Sequence, residues 1–146
     1  MWGRSSVCLM SAAILAVVLT IPAAAKPGLA AQMYASIKKD PVSTVYFDRN
    51  VKVDDIGKLC NASDCYEIGF YTWETKEHIG RRLLVFGLNE KALTYLGGYG
   101  VTGRPVAIVG AKIKFPFPKE WGDEIDFSAG PPRRAWLDGE NPEFFK

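Results

Sequence analysis

From Val42 onward the chain is written in β-branched and aromatic residues, interrupted every eight to twelve residues by clusters of glycine, proline, asparagine or aspartate. Short strands with turns at that spacing build an all-β sandwich or barrel. No helix-length periodic segment lies between them, which argues against a parallel βαβ sheet. The expected fold class is therefore mainly β, a small antiparallel sandwich or barrel. Strands are expected at 42–48, 66–74, 82–88, 92–98, 105–109, 111–115, 123–127 and 133–137, with a frayed last one at 141–145.

Residues before Val42 follow other rules. Leu29, Met33 and Ile37 recur at four-residue spacing among polar neighbours, and Asp40-Pro41 closes the segment, so a short helix is expected at 29–39. Ahead of it, Val7 to Ile21 is an uncharged apolar run behind a single Arg4, followed by Pro22-Ala23-Ala24-Ala25. That is the layout of a secretory signal peptide, shorter than the roughly 20 residues that a membrane-spanning helix needs. Ala23 and Ala25 place the cut before Lys26, with Ala30 as a second permissible site and an uncleaved anchor as the alternative. The organisation expected is a signal peptide at 1–25, a helix and linker at 26–41, and one β domain at 42–146. A secreted or periplasmic protein without a membrane span follows from it.

Cleavage takes one arginine from the 18 basic residues and none of the 16 acids, leaving a nearly neutral chain. A nucleic-acid partner would call for a basic excess gathered on one face. The charge is nonetheless uneven along the chain. Residues 104–119 hold four basic residues and no acid, whereas 120–143 hold seven acids against Arg133 and Arg134.

Cleavage also removes Cys8, leaving Cys60 and Cys65 in Cys-Asn-Ala-Ser-Asp-Cys. An even pair in an exported chain reads as one disulfide, a local staple whose small ring is worth about 2 kcal/mol. Redox chemistry of the thioredoxin kind uses Cys-x-x-Cys, and two cysteines with the single His78 cannot complete a zinc site. No metal or other cofactor is expected. Asn61-Ala62-Ser63 matches a glycosylation acceptor, but the cluster of Asn61, Ser63 and Asp64 speaks more firmly for a turn.

Within the strands, alternation sorts the faces. Tyr66, Ile68 and Phe70 share one face, Ile113 and Phe115 another, while the unbroken apolar run in Arg82-Leu83-Leu84-Val85-Phe86 suggests a central strand covered on both sides. If 111–115 and 123–127 pair with Ile113 opposite Ile125, Lys114 faces Glu124 and Lys112 faces Asp126. One register then aligns the apolar residues inside and the opposite charges outside. Gly110, Gly122 and Gly139 are each followed five residues later by Phe115, Phe127 and Phe144, a regularity that a β-meander or an internal duplication produces equally well.

Chemistry-bearing candidates are few. His78 lies in a polar connection between two strands, where an exposed histidine is ordinary. Glu124 and Asp126, two apart on one strand face, are the raw material of a carboxylate pair for hydrolysis, unless lysines of the preceding strand hold them. In Phe115-Pro116-Phe117-Pro118-Lys119-Glu120-Trp121, prolines stiffen a loop that offers Phe117 and Trp121, either to a partner or back over the core. Arg134 shares a face with Trp136 by parity, and Arg and Trp are enriched where binding energy concentrates. The function expected is binding, as a small inhibitor, immunity or envelope-interaction protein meeting another protein or a polysaccharide. An exported hydrolase using Glu124 and Asp126, or a structural subunit adding an edge strand, is the alternative.

Overall fold

The computed structural model describes residues 28–45, 50–89 and 92–146. The signal segment and positions 46–48 of the first expected strand lie outside them. The helix α1 runs over Leu29–Lys39 with Met33 and Ile37 buried, and ends where Asp40 precedes Pro41. Among the described residues seven strands follow: β1 Val51–Cys60, β2 Cys65–Glu74, β3 Ile79–Leu88, β4 Leu93–Gly100, β5 Ala107–Val109, β6 Lys112–Lys114 and β7 Glu124–Asp126. They form two antiparallel sheets, one in the order β1-β2-β3-β4 and one in the order β5-β6-β7, and among the described residues these do not close into the barrel that is one of the two expected forms.

The larger sheet is buried on both faces, and this sets its composition. On one face Tyr66, Ile68, Phe70, Leu83, Val85 and Tyr99 join Ile113, Phe115, Ile125 and Phe127 of the second sheet in one apolar cluster. On the other, Tyr71, Leu84, Phe86 and Tyr95 pack against Met33 and Ile37 of α1. Leu83, Leu84, Val85 and Phe86 of β3 are all fully buried, as an unbroken apolar run requires. The helix lies so close that a Cβ at Gly69 would sit 2.9 Å from the Met33 sulfur, so only glycine fits there.

Three expected strands need correction. Residues 42–45 form no strand, and the first one is instead β1, where Asp55 and Gly57 flank a bulge that disrupts the alternation. The expected strand at 133–137 and its frayed partner are joined only by isolated bridges, Arg134 to Glu143 and Leu137 to Glu140. They form an irregular hairpin around Asp138-Gly139, both at positive φ.

At the mouth of the β1–β2 hairpin Cys60 and Cys65 are cross-strand partners, disulfide-bonded with Cα atoms 4.0 Å apart. Asn61 builds the turn between them. Its Oδ1 accepts from the Ser63 and Asp64 amides, and its Nδ2 donates to the Phe127 carbonyl at 2.8 Å, tying the two sheets together. The nitrogen a glycan would need is thus engaged in the fold.

The far edge of β4 is closed by residues far along the chain. Gly98 and Phe145 exchange both backbone hydrogen bonds, at 2.8 and 3.0 Å. The Arg82 guanidinium sits 4.3 Å over the Phe145 ring, and the Lys146 ammonium reaches the Asp40 carboxylate at 2.8 Å.

Candidate functional site

The β6–β7 hairpin has the register that its alternation favours: Ile113 opposite Ile125, Lys114 opposite Glu124 and Lys112 opposite Asp126. The side chains do not follow the backbone pairing throughout. Both lysines converge on Glu124, Lys114 at 2.7 Å and Lys112 at 3.3 Å, while Asp126 turns to Ser128 and accepts from its amide and hydroxyl. A diagonal reach is well within a lysine's length, and the adjacent serine gives Asp126 two nearer donors. The hydrogen bond from Lys114 holds the Glu124 carboxyl below its ordinary pKa, and the Ser128 contacts do the same for Asp126. A general acid needs the opposite, a carboxyl kept protonated near neutral pH.

The carboxyl that is raised is Glu67, 5% exposed in the middle of β2. Burial, followed by a hydrogen bond that the protonated carboxyl donates to Asp55 and by repulsion from that carboxylate, lifts it to about 7, against the opposing pull of Lys58. Glu67 alternates with Tyr66 and Ile68 and so lies on the opposite face of β2, the helix-bearing one, which is buried as well. Neither Glu67 nor Asp55 lines the groove of about 470 Å³ between α1 and β4, which is walled by Gln32, Ser36, Asp40 and Tyr95 among others. His78 is exposed in the β2–β3 turn, where its backbone is held by Thr75.

The aromatic candidates separate sharply. Phe117 is half-buried, its ring stacked on Phe115 with centroids 5.6 Å apart, and it belongs to the wall of the core. Its ring supports the fold and offers little to a partner. Trp121 and Trp136 are 54% and 49% exposed.

These two tryptophans are brought together by backbone geometry. Trp121 ends a single 3-10 turn, Lys119–Trp121, that follows the stiff Pro116–Pro118 loop. Its carbonyl accepts from the Gly139 amide at 2.6 Å, and the next carbonyl, of Gly122, accepts from the Asp138 amide at 3.1 Å. Gly122 has φ +83°, and a Cβ there would lie 2.2 Å from the Trp136 carbonyl oxygen and 2.8 Å from its indole Cδ1. The Trp136 indole therefore lies beside Gly122, the neighbour of Trp121, on a surface fixed by two hydrogen-bonded turns. Arg134, exposed on the same face of the hairpin, is held by Glu143 across it through Nε at 2.7 Å.

Sequence reasoning nominated Trp121 and Trp136 separately and missed that the turns carrying them are hydrogen-bonded to each other. The signal that joins them is Asp138-Gly139, a dipeptide that favours a two-residue hairpin turn and folds the Trp136 segment back. Comparison with protein families, curated proteins and solved structures finds no match for this chain.

Proposed function

We propose that the chain is an exported, non-enzymatic binding protein of the inhibitor, immunity or envelope-interaction kind. It meets another protein or a polysaccharide through the face carrying Trp121 and Trp136. The observation that carries this reading is a pair of half-exposed indoles carried on two turns that are hydrogen-bonded to each other. Large rings already ordered before contact give apolar area at low entropic cost, and tryptophan and arginine dominate binding hot spots. The lowered carboxyls of Glu124 and Asp126 favour binding over hydrolysis. The bulge and the charges Lys52, Asp54, Asp55 and Lys58 on β1 blunt the outer edge that a structural subunit would use for strand addition.

The test is capture from the envelope or culture fluid of the source, comparing immobilised wild-type protein with the Trp121→Ala/Trp136→Ala variant. The material retained by the wild type is expected to be lost from the variant, with both proteins folded by near-ultraviolet circular dichroism. Equal retention by the two would discard this face.

A further inference from the structure

The acids that crowd the last third of the chain fall around the two tryptophans. Glu120 precedes Trp121 in the 3-10 turn, and Asp138 and Glu140 flank Gly139, whose amide is bonded to Trp121. Glu120 is thus the chain neighbour of Trp121, and Asp138 and Glu140 lie two and four residues beyond Trp136. Against them stand Lys119 in the turn and the exposed Arg133, while Arg134 is paired with Glu143. Among the described residues Glu120 and Glu140 have no ion-pair partner of their own, and Asp138 accepts from the Thr102 hydroxyl.

The chain's own cations show the same vacancy from the other side. Arg82 covers Phe145, Arg104 approaches Phe70 and Lys38 approaches Tyr34. Tryptophan is a better acceptor for a cation than phenylalanine or tyrosine, yet among the described residues no cation of this chain covers Trp121 or Trp136. Two exposed indoles on turns that also carry carboxylates without an ion-pair partner match one chemistry, an organic cation that stacks on a ring and is neutralised by a nearby acid.

We propose that the Trp121–Trp136 face receives a cationic protein surface, with lysine or arginine side chains of the partner lying over the indoles and paired with Glu120 and Glu140. This rests on the binding reading above and names the partner's chemistry. The carboxylates supply long-range attraction and raise the association rate, and the indoles retain the docked cation.

The experiment titrates the nitrogen-labelled protein with a short oligoarginine peptide, an oligoglutamate peptide of equal length and a neutral cello-oligosaccharide, reading the indole N–H resonances. The Trp121 and Trp136 signals are expected to shift with oligoarginine alone, while that of Trp73 stays in place. Trp121→Ala/Trp136→Ala should weaken the peptide about tenfold. Glu120→Gln/Glu140→Gln, at exposed positions that leave the fold intact, should weaken it about threefold and flatten its salt dependence. Equal or larger shifts with the glutamate peptide or the sugar would overturn the cationic assignment, as would indoles that shift with protein concentration before any probe is added, the sign of a second copy on the face. If partner capture needs the tryptophans while oligoarginine shifts neither, only the cationic assignment fails. Capture indifferent to the tryptophans would remove the face itself.

Discussion

The segment from Val51 to Gly100 and the segment from Gly103 to Lys146 solve the same problem in opposite ways. The first lays down four strands of eight to ten residues, covers both faces, and draws its order from continuous ladders and two-sided burial. The second has strands of three residues and replaces ladder with turns, side-chain locks and a few buried apolar side chains such as Phe115, Ile125 and Phe127. A long strand buried on both sides has no side chain to spare for anyone else. A short strand ends quickly, and the turn that ends it must put its large residues somewhere. Trp121 and Trp136 stand on such turns, which is why the surface proposed to meet a partner belongs to the less regular part of the molecule.

The largest effect should come from the regular part. Phe86→Ala empties a fully buried site between β3 and α1 and is expected to cost about 3 to 5 kcal/mol in chemical denaturation. A cost under about 1 kcal/mol would mean that the helix does not seal that face. Next comes the lock between the turns: Gly122→Ala forces a side chain into left-handed φ and against the Trp136 carbonyl, for an expected loss of about 1 to 3 kcal/mol. Its melting temperature should fall and the tryptophan emission should change together. An unchanged variant would show that the two turns are independent, and the contrast between ladder and lock would lose its meaning.

The smallest effect separates the regions by pH. Glu67 titrates near 7 in the fold and near 4.5 in the open chain, so the unfolded state releases its proton first as pH rises. Stability contributed by the neutral carboxyl is complete below about pH 4.5, declines through the window up to 7 and is gone above it, by at most about 1.4 kcal/mol per pH unit. Glu124 and Asp126 of the second segment are held below their ordinary values and act in the other direction, weakening the fold only as acid protonates them. Glu67→Gln should flatten the melting temperature between pH 5 and 7 and leave the acid limb unchanged. A flat profile in the wild type would place the Glu67 carboxyl in water.

How much of this could be read from the residues depended on whether one rule spoke at a time. The helix Leu29–Lys39 and the pairing of Ile113 with Ile125 were legible because spacing and charge agreed. Strand β1 was hidden, since Asp54-Asp55 and Gly57 are the vocabulary of a turn and the bulge breaks the alternation that would have exposed it. The burial of Glu67 was not legible for a related reason: period-two alternation tells which residues share a face, and says nothing about whether a helix covers the other one. Phe117 and Trp121 sit in the same stiff loop, and only the position of Phe115 beneath decides which ring turns inward. The fate of the charged pairs was half legible, because a register fixes which backbones face each other while a lysine can reach diagonally to Glu124.

The bond between Gly98 and Phe145 carries a consequence in time. When a chain leaves a narrow exit in order, β4 emerges 47 residues before the segment that pairs with its edge, the difference between 145 and 98. Until then the larger sheet presents an unpaired strand, the template on which chains join one another. A chain kept extended until all of it has passed avoids that interval, and delivery across a membrane in unfolded form imposes that delay.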